Sequence, residues 1–147
     1  TNDAPSTATR LVDMGVEPFL VSAALLCIVS QRLARRICNV CRNPDTTITP
    51  EVLSEIGLPP ESINNIFYRG KGCDKCGNTG YKGRLGVHEV MYTSEKIRRL
   101  IIQNAGPDDL MQAAIAGGMK TLREDITLKF QQGLTTPEEI FALSRKE

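Results

Sequence analysis

Three features are missing from this 147-residue sequence, and each absence excludes a class of protein. No Gly-x4-Gly-Lys-[Ser/Thr] motif is present, so the sequence lacks the glycine-rich loop with which many nucleotide-binding proteins cradle phosphate. The longest apolar run, Phe19 to Val29, is 11 residues long, whereas a membrane-spanning helix needs roughly 20. The formal net charge is +1, so no overall charge excess indicates binding to nucleic acid or to an anionic membrane.

What is present indicates a globular protein. The sequence is 41% hydrophobic and 24% charged, and its length suits one domain or one compact unit with a small appendage. Residues 32–84 contain nine Lys or Arg against five Asp or Glu, so this region is mildly basic. Cysteines spaced to chelate a metal, in a chain without an obvious secretory signal, favour a reducing, cytoplasmic compartment. It begins at Thr1 without a methionine, and we expect a fragment of a longer protein.

Two cysteine pairs, Cys38-x2-Cys41 and Cys73-x2-Cys76, carry the strongest chemical signal. The two-residue gap lets two thiolates reach one ion from a tight turn, and two such pairs complete a tetrahedron around zinc. Four sulfur ligands leave no open coordination position, so the predicted zinc is structural and does not activate water. Glycines that permit tight turns surround the second pair at Gly72, Gly77, Gly80 and Gly83.

Other interpretations of the cysteines remain open at this point. The four residues are alternatively buried free thiols, two disulfides, or a thioredoxin-like redox motif, for which one pair would suffice. Cys27 lies outside both pairs, within the apolar run, and is predicted to pack as an ordinary small side chain. The single histidine, His88, could be a ligand or a base, but we interpret it as structural because four thiolates already fill the site.

Local signals predict a mixed α/β chain that is mostly helical. The apolar run from Phe19 to Val29 is predicted to form a buried helix, and Gln31 to Ile37 a strand that leads into the first cysteine pair. Gly83 to Met91 is predicted to return as an antiparallel partner of that strand. Proline, glycine and capping residues predict further helices over about Asp3–Gly15, Thr49–Gly57, Leu58–Ile66, Thr93–Ile101, Gly106–Gly117, Thr121–Gln132 and from Thr136 onward.

Charged residues in this chain have both ordinary and functional interpretations. Thr136 and Glu139 match a capping box, and the acidic pairs Asp108-Asp109 and Glu138-Glu139 are predicted to complement helix dipoles. Four arginines are predicted to form a solvated basic face, with sensing of nucleotide or a neighbouring subunit as the alternative: Arg10, Arg32, Arg35 and Arg36. Four cations near the second cysteine pair are predicted to be a solvated loop, with an anionic-lipid or acidic-partner patch as the alternative: Lys71, Lys75, Lys82 and Arg84.

Combined motifs along nearly the whole chain closely resemble one family, the hexameric ATPases of type II secretion and type IV pilus assembly. The motifs occur in a fixed order around the two cysteine pairs. They are Thr1-Asn2-Asp3-Ala4-Pro5, Thr9-Arg10-Leu11, Asp13-Met14-Gly15, Glu17-Pro18-Phe19-Leu20, Gln31-Arg32-Leu33, Thr79-Gly80-Tyr81-Lys82-Gly83-Arg84 with Glu89, Gly118-Met119-Lys120-Thr121-Leu122, Gly133-Leu134-Thr135-Thr136 and Glu138-Glu139.

The resemblance implies that the chain is the C-terminal part of a RecA-like motor domain with an inserted zinc-binding loop and a C-terminal helical bundle. Residues 1–37 would be the C-terminal edge of the ATPase core, 38–83 the tetracysteine zinc loop, 84–92 a returning strand, and 93–147 a C-terminal helical subdomain. In this family the zinc ligands would be Cys38, Cys41, Cys73 and Cys76. Retraction motors of the superfamily generally lack such a loop, so the resemblance is to the assembly and secretion branches.

The resemblance also implies where nucleotide binds. The Walker A, Walker B and aspartate-box segments of the family lie upstream, and Thr1 and Asn2 directly follow the position of its His box. Phosphoryl transfer depends on a phosphate-cradling loop, a Lys and Mg²⁺. The chain alone is therefore expected not to hydrolyse ATP, and the longer parent protein is expected to hydrolyse it. The implied cofactors are structural Zn²⁺ here, and ATP and Mg²⁺ in the parent. The implied partners are identical subunits in a hexamer and an inner-membrane platform protein, at the cytoplasmic face of that membrane.

A free-standing zinc ribbon that binds nucleic acid or protein is the alternative function. The basic excess around the cysteines and their spacing support it. However, only Phe67, Tyr68 and Tyr81 lie near the cysteines to stack on bases, and more than half of the chain is predicted to be helix unrelated to a ribbon. We therefore expect no nucleic-acid partner.

Overall fold

The computed structural model of the chain describes residues 2–145. Within them, helices and strands are mixed and helix predominates, as the sequence predicted. The helices are α1 (Ala4–Asp13), α2 (Pro18–Ala24), α3 (Pro50–Glu55), α4 (Glu95–Ile102), α5 (Pro107–Ala116), α6 (Leu122–Gln131) and α7 (Pro137–Ser144). The strands are β1 (Cys27–Ile37), β2 (Arg42–Pro44), β3 (Tyr68–Gly70) and β4 (Tyr81–Tyr92), and Pro60–Asn64 and Asp74–Cys76 form 3-10 turns.

The chain divides into two compact units. Unit 1 comprises the chain up to Gln31 together with His88–Leu122, and unit 2 comprises Arg32–Val87 together with the chain from Arg123 onward. Each unit is therefore built from two separate segments of sequence, and β1 and β4 each contribute residues to both. The four-part division of the chain that the resemblance implies stays a prediction.

Strands β1 and β4 form a two-stranded sheet. Hydrogen bonds beyond the two ends of the pair give its direction: Thr93 N donates to Leu26 O at 3.0 Å, and Cys38 N donates to Gly80 O at 2.9 Å. The residue that precedes β1 thus faces the one that follows β4, which confirms the predicted antiparallel pairing. β1 begins at Cys27, four residues earlier than predicted.

The prediction of a buried helix over the apolar run is wrong. Helix α2 ends at Ala24, and the chain then becomes the first part of β1. β-Branched residues such as Val29 favour extended backbone, and along β1 the buried side chains Ile28 and Ser30 alternate with exposed ones. Several apolar side chains of the run are consequently exposed: Phe19 62%, Leu20 48%, Leu26 76% and Val29 55%.

The prediction that Cys27 packs inside the protein is also wrong, because this thiol is exposed. It lies at the first position of β1, on the side of the strand that faces away from the buried Ile28. None of the helices formed by residues 2–145 has the length and apolar content that crossing a lipid bilayer requires.

Unit 1 is built around α1, α2, α4 and α5. The sequence offers Asp3 or Asn2 as the cap of α1 and Thr93 or Ser94 as the cap of α4. In the structure the Asp3 carboxylate accepts a hydrogen bond from Ser6 N, and the Ser94 hydroxyl accepts one from Ile97 N. The buried side chains that pack together in this unit are Ala4, Ala8, Val21, Ile28, Met91, Ile97, Ile101, Leu110, Ala113, Ala114 and Met119. Apolar side chains from the helices and from β1 and β4 therefore share one core.

A buried carboxylate, Glu89 on β4, fixes the starts of two helices. Only 2% of this residue is exposed. Its Oε1 accepts a hydrogen bond from Ala4 N at 2.8 Å, and its Oε2 accepts one from Leu122 N at 3.3 Å. The first amides of a helix have no partner within the helix and carry partial positive charge, so one carboxylate satisfies the first residues of both α1 and α6.

Unit 2 contains a second small sheet and an aromatic stack. β2 and β3 pair antiparallel, with Arg42 opposite Gly70 and Pro44 opposite Tyr68. The rings of Phe67 and Phe130 stack with centroids 4.6 Å apart and planes 11° apart. The stack joins the segment before β3 to α6, so the excursion that carries the cysteines packs against the C-terminal helices.

Two sequence predictions for unit 2 need correction. The helix predicted over Leu58–Ile66 is only a 3-10 turn, Pro60–Asn64, and Ile63 and Ile66 are exposed, so these side chains provide no buried face to support a longer helix. The capping box at the start of α7 is absent, because Thr136 makes no side-chain cap bond. Its hydroxyl instead pairs with Tyr81, and the carboxylate predicted to complete the box is bound to Arg35.

Candidate metal centre

Unit 2 brings four sulfur atoms together. The Sγ atoms of Cys38, Cys41, Cys73 and Cys76 all lie within 4.8 Å of one another. The Cys73–Cys76, Cys41–Cys76 and Cys38–Cys73 separations are 3.7, 3.8 and 3.9 Å. A regular tetrahedron of sulfurs with metal–sulfur bonds of about 2.3 Å has edges of about 3.8 Å. The arrangement therefore fits four thiolates around one zinc ion.

The same distances do not fit disulfides. A disulfide requires sulfurs about 2.05 Å apart, whereas all five cysteines of this chain are free. Within residues 2–145, the group of side chains that could hold a metal consists of these four cysteines and contains no histidine. His88, which the sequence left as a possible ligand, is not a member of this group.

Backbone conformation aims the second cysteine pair inward. Left-handed residues lie on both sides of it, at Gly72 (φ +96°), Gly77 (φ +62°) and Gly80 (φ +78°). This region of φ favours glycine because a Cβ atom crowds the backbone there. The sequence interpretation that glycines shape the turns of this pair is confirmed at these three positions.

A close backbone approach also shapes the site, and sequence reasoning missed it. A Cβ atom added to Gly70 would lie 2.1 Å from Gly80 O, and one added to Gly80 would lie 2.6 Å from Gly70 O. Glycine is required at both positions because the backbones of β3 and of the turn that follows Cys76 are in close contact there. Gly70 lies outside the cysteine motifs, and no local pattern distinguishes it from a turn glycine.

Amide groups stabilise the thiolate form of two of the cysteines. Cys73 N and Gly80 N both donate to Cys76 Sγ at 3.3 Å. Burial raises the pKa of Cys76, but these donors outweigh it and lower the pKa to about 6. The pKa of Cys38 is lowered chiefly by a hydrogen bond from the amide of Cys41. Both sulfurs are thus prepared to bind a cation as thiolates.

Cys41 behaves differently. Burial raises the pKa of its thiol to about 11, even though Gly72 N donates to its Sγ at 3.3 Å. In the metal-free chain this thiol therefore keeps its proton at neutral pH. Because a metal-bound cysteine must be deprotonated, binding of zinc at this site would release the proton of Cys41.

Exposed cations surround the cysteine loop. Lys71, Lys75, Lys82 and Arg84 are all exposed, and one exposed acidic residue, Asp74, lies among them. Four thiolates and one divalent ion carry a formal charge of −2, which nearby lysines offset. The local basic excess would therefore offset part of the negative charge of the cysteine cluster when a divalent ion occupies it.

Ion pairs connect the cysteine loop to α7. Arg35, in β1, is exposed as predicted, and in addition its guanidinium pairs with the buried Glu139 at 2.8 Å. Arg69 bridges two carboxylates, Asp45 at 2.8 Å and Glu138 at 2.6 Å. Both glutamates lie in the first turn of α7, where dipole complementation was predicted, and in addition each has an arginine partner.

The Arg69 bridge lowers the pKa values of both of its carboxylates. Burial raises the pKa of Asp45, but hydrogen bonds from Thr47 and Arg69 outweigh it, and the net pKa is lowered. Burial likewise raises the pKa of Glu138, and the hydrogen bond from Arg69 more than compensates. Both carboxylates are therefore ionised at neutral pH and hold β3 and the start of α7 together.

The predicted nucleotide-proximal residues lie at the N-terminal end of unit 1. Thr1 lies outside the described residues. Asn2 is exposed, its carbonyl oxygen accepts a hydrogen bond from Ser30 Oγ at 3.4 Å, and it lines an open groove on α1 with Asp3, Ser6 and Arg10. A role for Thr1 and Asn2 in nucleotide binding stays a prediction.

Substitution of Gly70 by Ala is expected to damage the metal centre. The added methyl group collides with Gly80 O, so β3 and the turn after Cys76 must separate. We expect a lower melting temperature and a zinc content below that of the unmodified chain, measured by differential scanning fluorimetry and mass spectrometry. Gly106→Ala is the matched control, because a Cβ there meets no atom within 4 Å. Equal zinc content and stability in the two variants would contradict the close-approach interpretation.

The Arg69 bridge predicts a defined pH dependence. Because the folded-state pKa values of Asp45 and Glu138 are lowered, the bridge stabilises the fold at neutral pH and is lost as pH falls through those values. Arg69→Gln is expected to cost about 1 kcal/mol near pH 7, and less once the pH is low enough to protonate Asp45 and Glu138.

Urea unfolding of Arg69→Gln and of the unmodified chain, across this pH range, measures the difference. Subtracting one protein from the other removes the pH dependence that both share through the cysteines. Arg36→Gln, at an exposed position of β1, is the control and should differ little from the unmodified chain at every pH. A cost for Arg69→Gln that does not change with pH would show that the two carboxylates are not its electrostatic partners.

Comparison of the chain with known proteins identifies its family. A family model described as Type II/IV secretion system protein matches residues 1–142. The type IV pilus assembly ATPase PilB of Thermus thermophilus is 46% identical over 146 residues, covering 97% of this chain and 16% of that protein. PilB of Myxococcus xanthus is 43% identical over 141 residues, covering 95% of this chain and 25% of that protein.

A secretion protein matches equally well. The type II secretion system protein HxcR of Pseudomonas aeruginosa is 43% identical over 145 residues, covering 99% of this chain and 27% of that protein. The chain thus spans between 16% and 27% of the length of these three relatives. The resemblance stated from the sequence motifs is confirmed: the chain belongs to the family of type II/IV secretion system proteins.

Proposed function

We propose that this chain is the zinc-binding portion of a hexameric ATPase that powers type IV pilus assembly or type II protein secretion. The observation that carries the proposal is the tetrahedral spacing of four cysteine sulfurs, 3.7–3.9 Å for the closest pairs, in a chain of this family. The relatives include both pilus assembly ATPases and type II secretion proteins, and either process is consistent with the chain.

Zinc has a structural role in this proposal. The ion closes the excursion between Cys38 and Cys76, which includes α3 and the small β2–β3 sheet. Four thiolates fill its coordination sphere, so neither water nor substrate has access to a free position. The segment between Cys38 and Cys76 has few buried side chains of its own, so the free energy of metal binding would supply much of the free energy that keeps it folded.

ATP hydrolysis belongs to the longer parent protein in this proposal. The sequence of the chain contains no phosphate loop, so ATP and Mg²⁺ would bind chiefly to residues that precede it in the parent, with Thr1 and Asn2 at the margin of that site. The parent would act as a homohexamer at the cytoplasmic face of the inner membrane. It would pass motion driven by nucleotide binding and release to an inner-membrane platform protein.

The alternative of a zinc ribbon that binds nucleic acid has less support. The guanidinium of Arg42 lies 3.8 Å from the ring centre of Tyr68, and that of Arg35 lies 4.1 Å from the ring centre of Tyr81. Phe67 is buried in its stack. Each aromatic ring near the cysteines therefore already has an intramolecular partner, and base stacking would have to displace it.

Metal analysis tests the structural half of the proposal. The chain purified without added chelator is expected to contain one zinc per chain, measured by elemental mass spectrometry. Cys73→Ser should lose most of the zinc and unfold with lower cooperativity, because one missing ligand weakens the whole site. Cys27→Ser is the matched control, since this thiol lies outside the cluster, and it should keep its zinc. A fully folded chain free of zinc would refute the metal centre.

Nucleotide assays test the catalytic half. The isolated chain is expected to hydrolyse no ATP above the buffer blank, because it lacks the groups that hold phosphate and Mg²⁺. The full-length parent is expected to show Mg²⁺-dependent hydrolysis and to migrate as a hexamer in size-exclusion chromatography with light scattering. Hydrolysis by the isolated chain would contradict the assignment of the nucleotide site, and a parent without ATPase activity would refute the motor function.

A further inference from the structure

Helix α7 begins against the cysteine loop and has no side-chain cap of its own. Its N-cap residue, Thr136, is fully buried and makes no side-chain cap bond. The hydroxyl instead shares a hydrogen bond of 2.6 Å with the Tyr81 hydroxyl. Because an eight-residue helix is not stable by itself in water, α7 depends on contacts from outside.

One line of contacts runs from the sulfur cluster to Thr136. Gly80 N donates to Cys76 Sγ at 3.3 Å, and Gly80 O accepts from Cys38 N at 2.9 Å. Gly80 therefore contacts both cysteine pairs at once. Tyr81 follows it directly in the chain, so the position of its side chain is tied to the positions of the two cysteine turns.

A second line of contacts reaches α7 through β1. Arg35 N and Nε donate to the two carboxylate oxygens of Glu139, at 2.7 and 2.8 Å. Ile37 N donates to Leu134 O at 2.9 Å. Both donor residues lie within the three positions before Cys38. The residues that lead into α7 and its first turn are thus held by the strand that delivers the first metal ligand.

The two lines meet beside the helix. The guanidinium of Arg35 lies over the ring of Tyr81, 4.1 Å from its centre. Tyr81 and Arg35 consequently support each other, and each also binds a residue at the start of α7. Displacement of either cysteine turn would disturb both contacts.

We propose that metal occupancy controls the docking of α7. The proposal rests on the proposed function in one respect, namely that zinc binds to the four cysteines. With zinc bound, the cysteine turns are clamped together and Tyr81 and Arg35 hold the first turn of α7. When zinc leaves, the cysteine turns separate, both lines of contact and the adjoining Arg69–Glu138 pair weaken, and α7 undocks. Its buried face, which carries Ile140 and Leu143, then becomes accessible.

Metal-gated docking would let zinc availability change the surface of unit 2. In the docked state α7 presents exposed polar groups such as Glu138, and in the released state it presents apolar side chains. Unit 1 contains none of the four cysteines and is expected to keep its fold in both states. The proposal is therefore selective for one helix of the chain.

Hydrogen–deuterium exchange of the 147-residue chain tests the proposal. Zinc-loaded protein, protein stripped with EDTA and protein reloaded with zinc chloride are compared, with zinc measured in each sample. Amides of residues 138–144 are expected to exchange roughly tenfold faster after stripping and to recover on reloading. Amides of α5 should change by less than about twofold.

The outcomes distinguish failure of the zinc site from failure of the zinc-dependent docking of α7. A chain that holds no zinc at the start and takes up none would refute both the metal centre and the gating. Zinc-dependent protein in which residues 138–144 keep their exchange rate would refute the gating alone. An equal acceleration in α6 would show that unit 2 opens as a whole, which would also refute selective release of α7.

Tyr81→Phe distinguishes this coupling from general destabilisation. The variant removes the hydroxyl that binds Thr136 and keeps the ring under Arg35. It is expected to retain one zinc per chain and to show about threefold faster exchange in α7 with zinc present. Tyr92→Phe, at a 73% exposed position in unit 1, is the matched control and should leave α7 unchanged. Unchanged α7 exchange in Tyr81→Phe would refute the role of Tyr81.

Discussion

Sulfur atoms that approach to 3.7–3.9 Å as thiolates repel one another unless a cation lies between them. The rest of unit 2 is arranged around this constraint. Amide donors on Cys76 and left-handed turns around it place the sulfurs, and exposed lysines offset the net negative charge that a divalent ion leaves. Removing the ion would leave a cluster with two thiols prepared to ionise and one, Cys41, that resists ionisation. A bound divalent ion would therefore stabilise the thiolate form of all four cysteines at the same time.

Three charged side chains outside the cluster, Glu89, Arg35 and Arg69, connect segments that are distant in sequence. Glu89 lies on β4 and receives amides from the starts of α1 and α6. Arg35 and Arg69 join β1 and β3 to the first turn of α7. A buried or partly buried carboxylate is costly without a partner, so each of these contacts fixes one arrangement of helices and strands rather than adding much net stability.

The sequence was informative where chemistry is local. The Cys-x2-Cys spacing within each pair predicts metal ligands, and two such pairs predict a four-sulfur cluster, although it joins residues 35 apart in sequence. The caps formed by Asp3 and Ser94 each bond an amide three residues along the chain, and the sequence offered both residues as candidates. It was misleading for the apolar run after Phe19, since apolar content alone does not separate a buried helix from a half-exposed strand. The partners of Glu139 and the close approach of Gly70 to Gly80 could not be predicted, because they arise between segments that meet only after folding.

The outward side of β1 has a practical consequence for the chain as a purified protein. Val29 and Leu33 are each 55% exposed, they lie on the same side of the strand, and β1 pairs with β4 alone in a two-stranded sheet. An eleven-residue strand without proline and with apolar outward side chains favours intermolecular β-pairing, while at its C-terminal end Ile37 N already donates to Leu134 O. Arg32, Arg35 and Arg36 bring positive charge to the same strand and act as gatekeepers against aggregation.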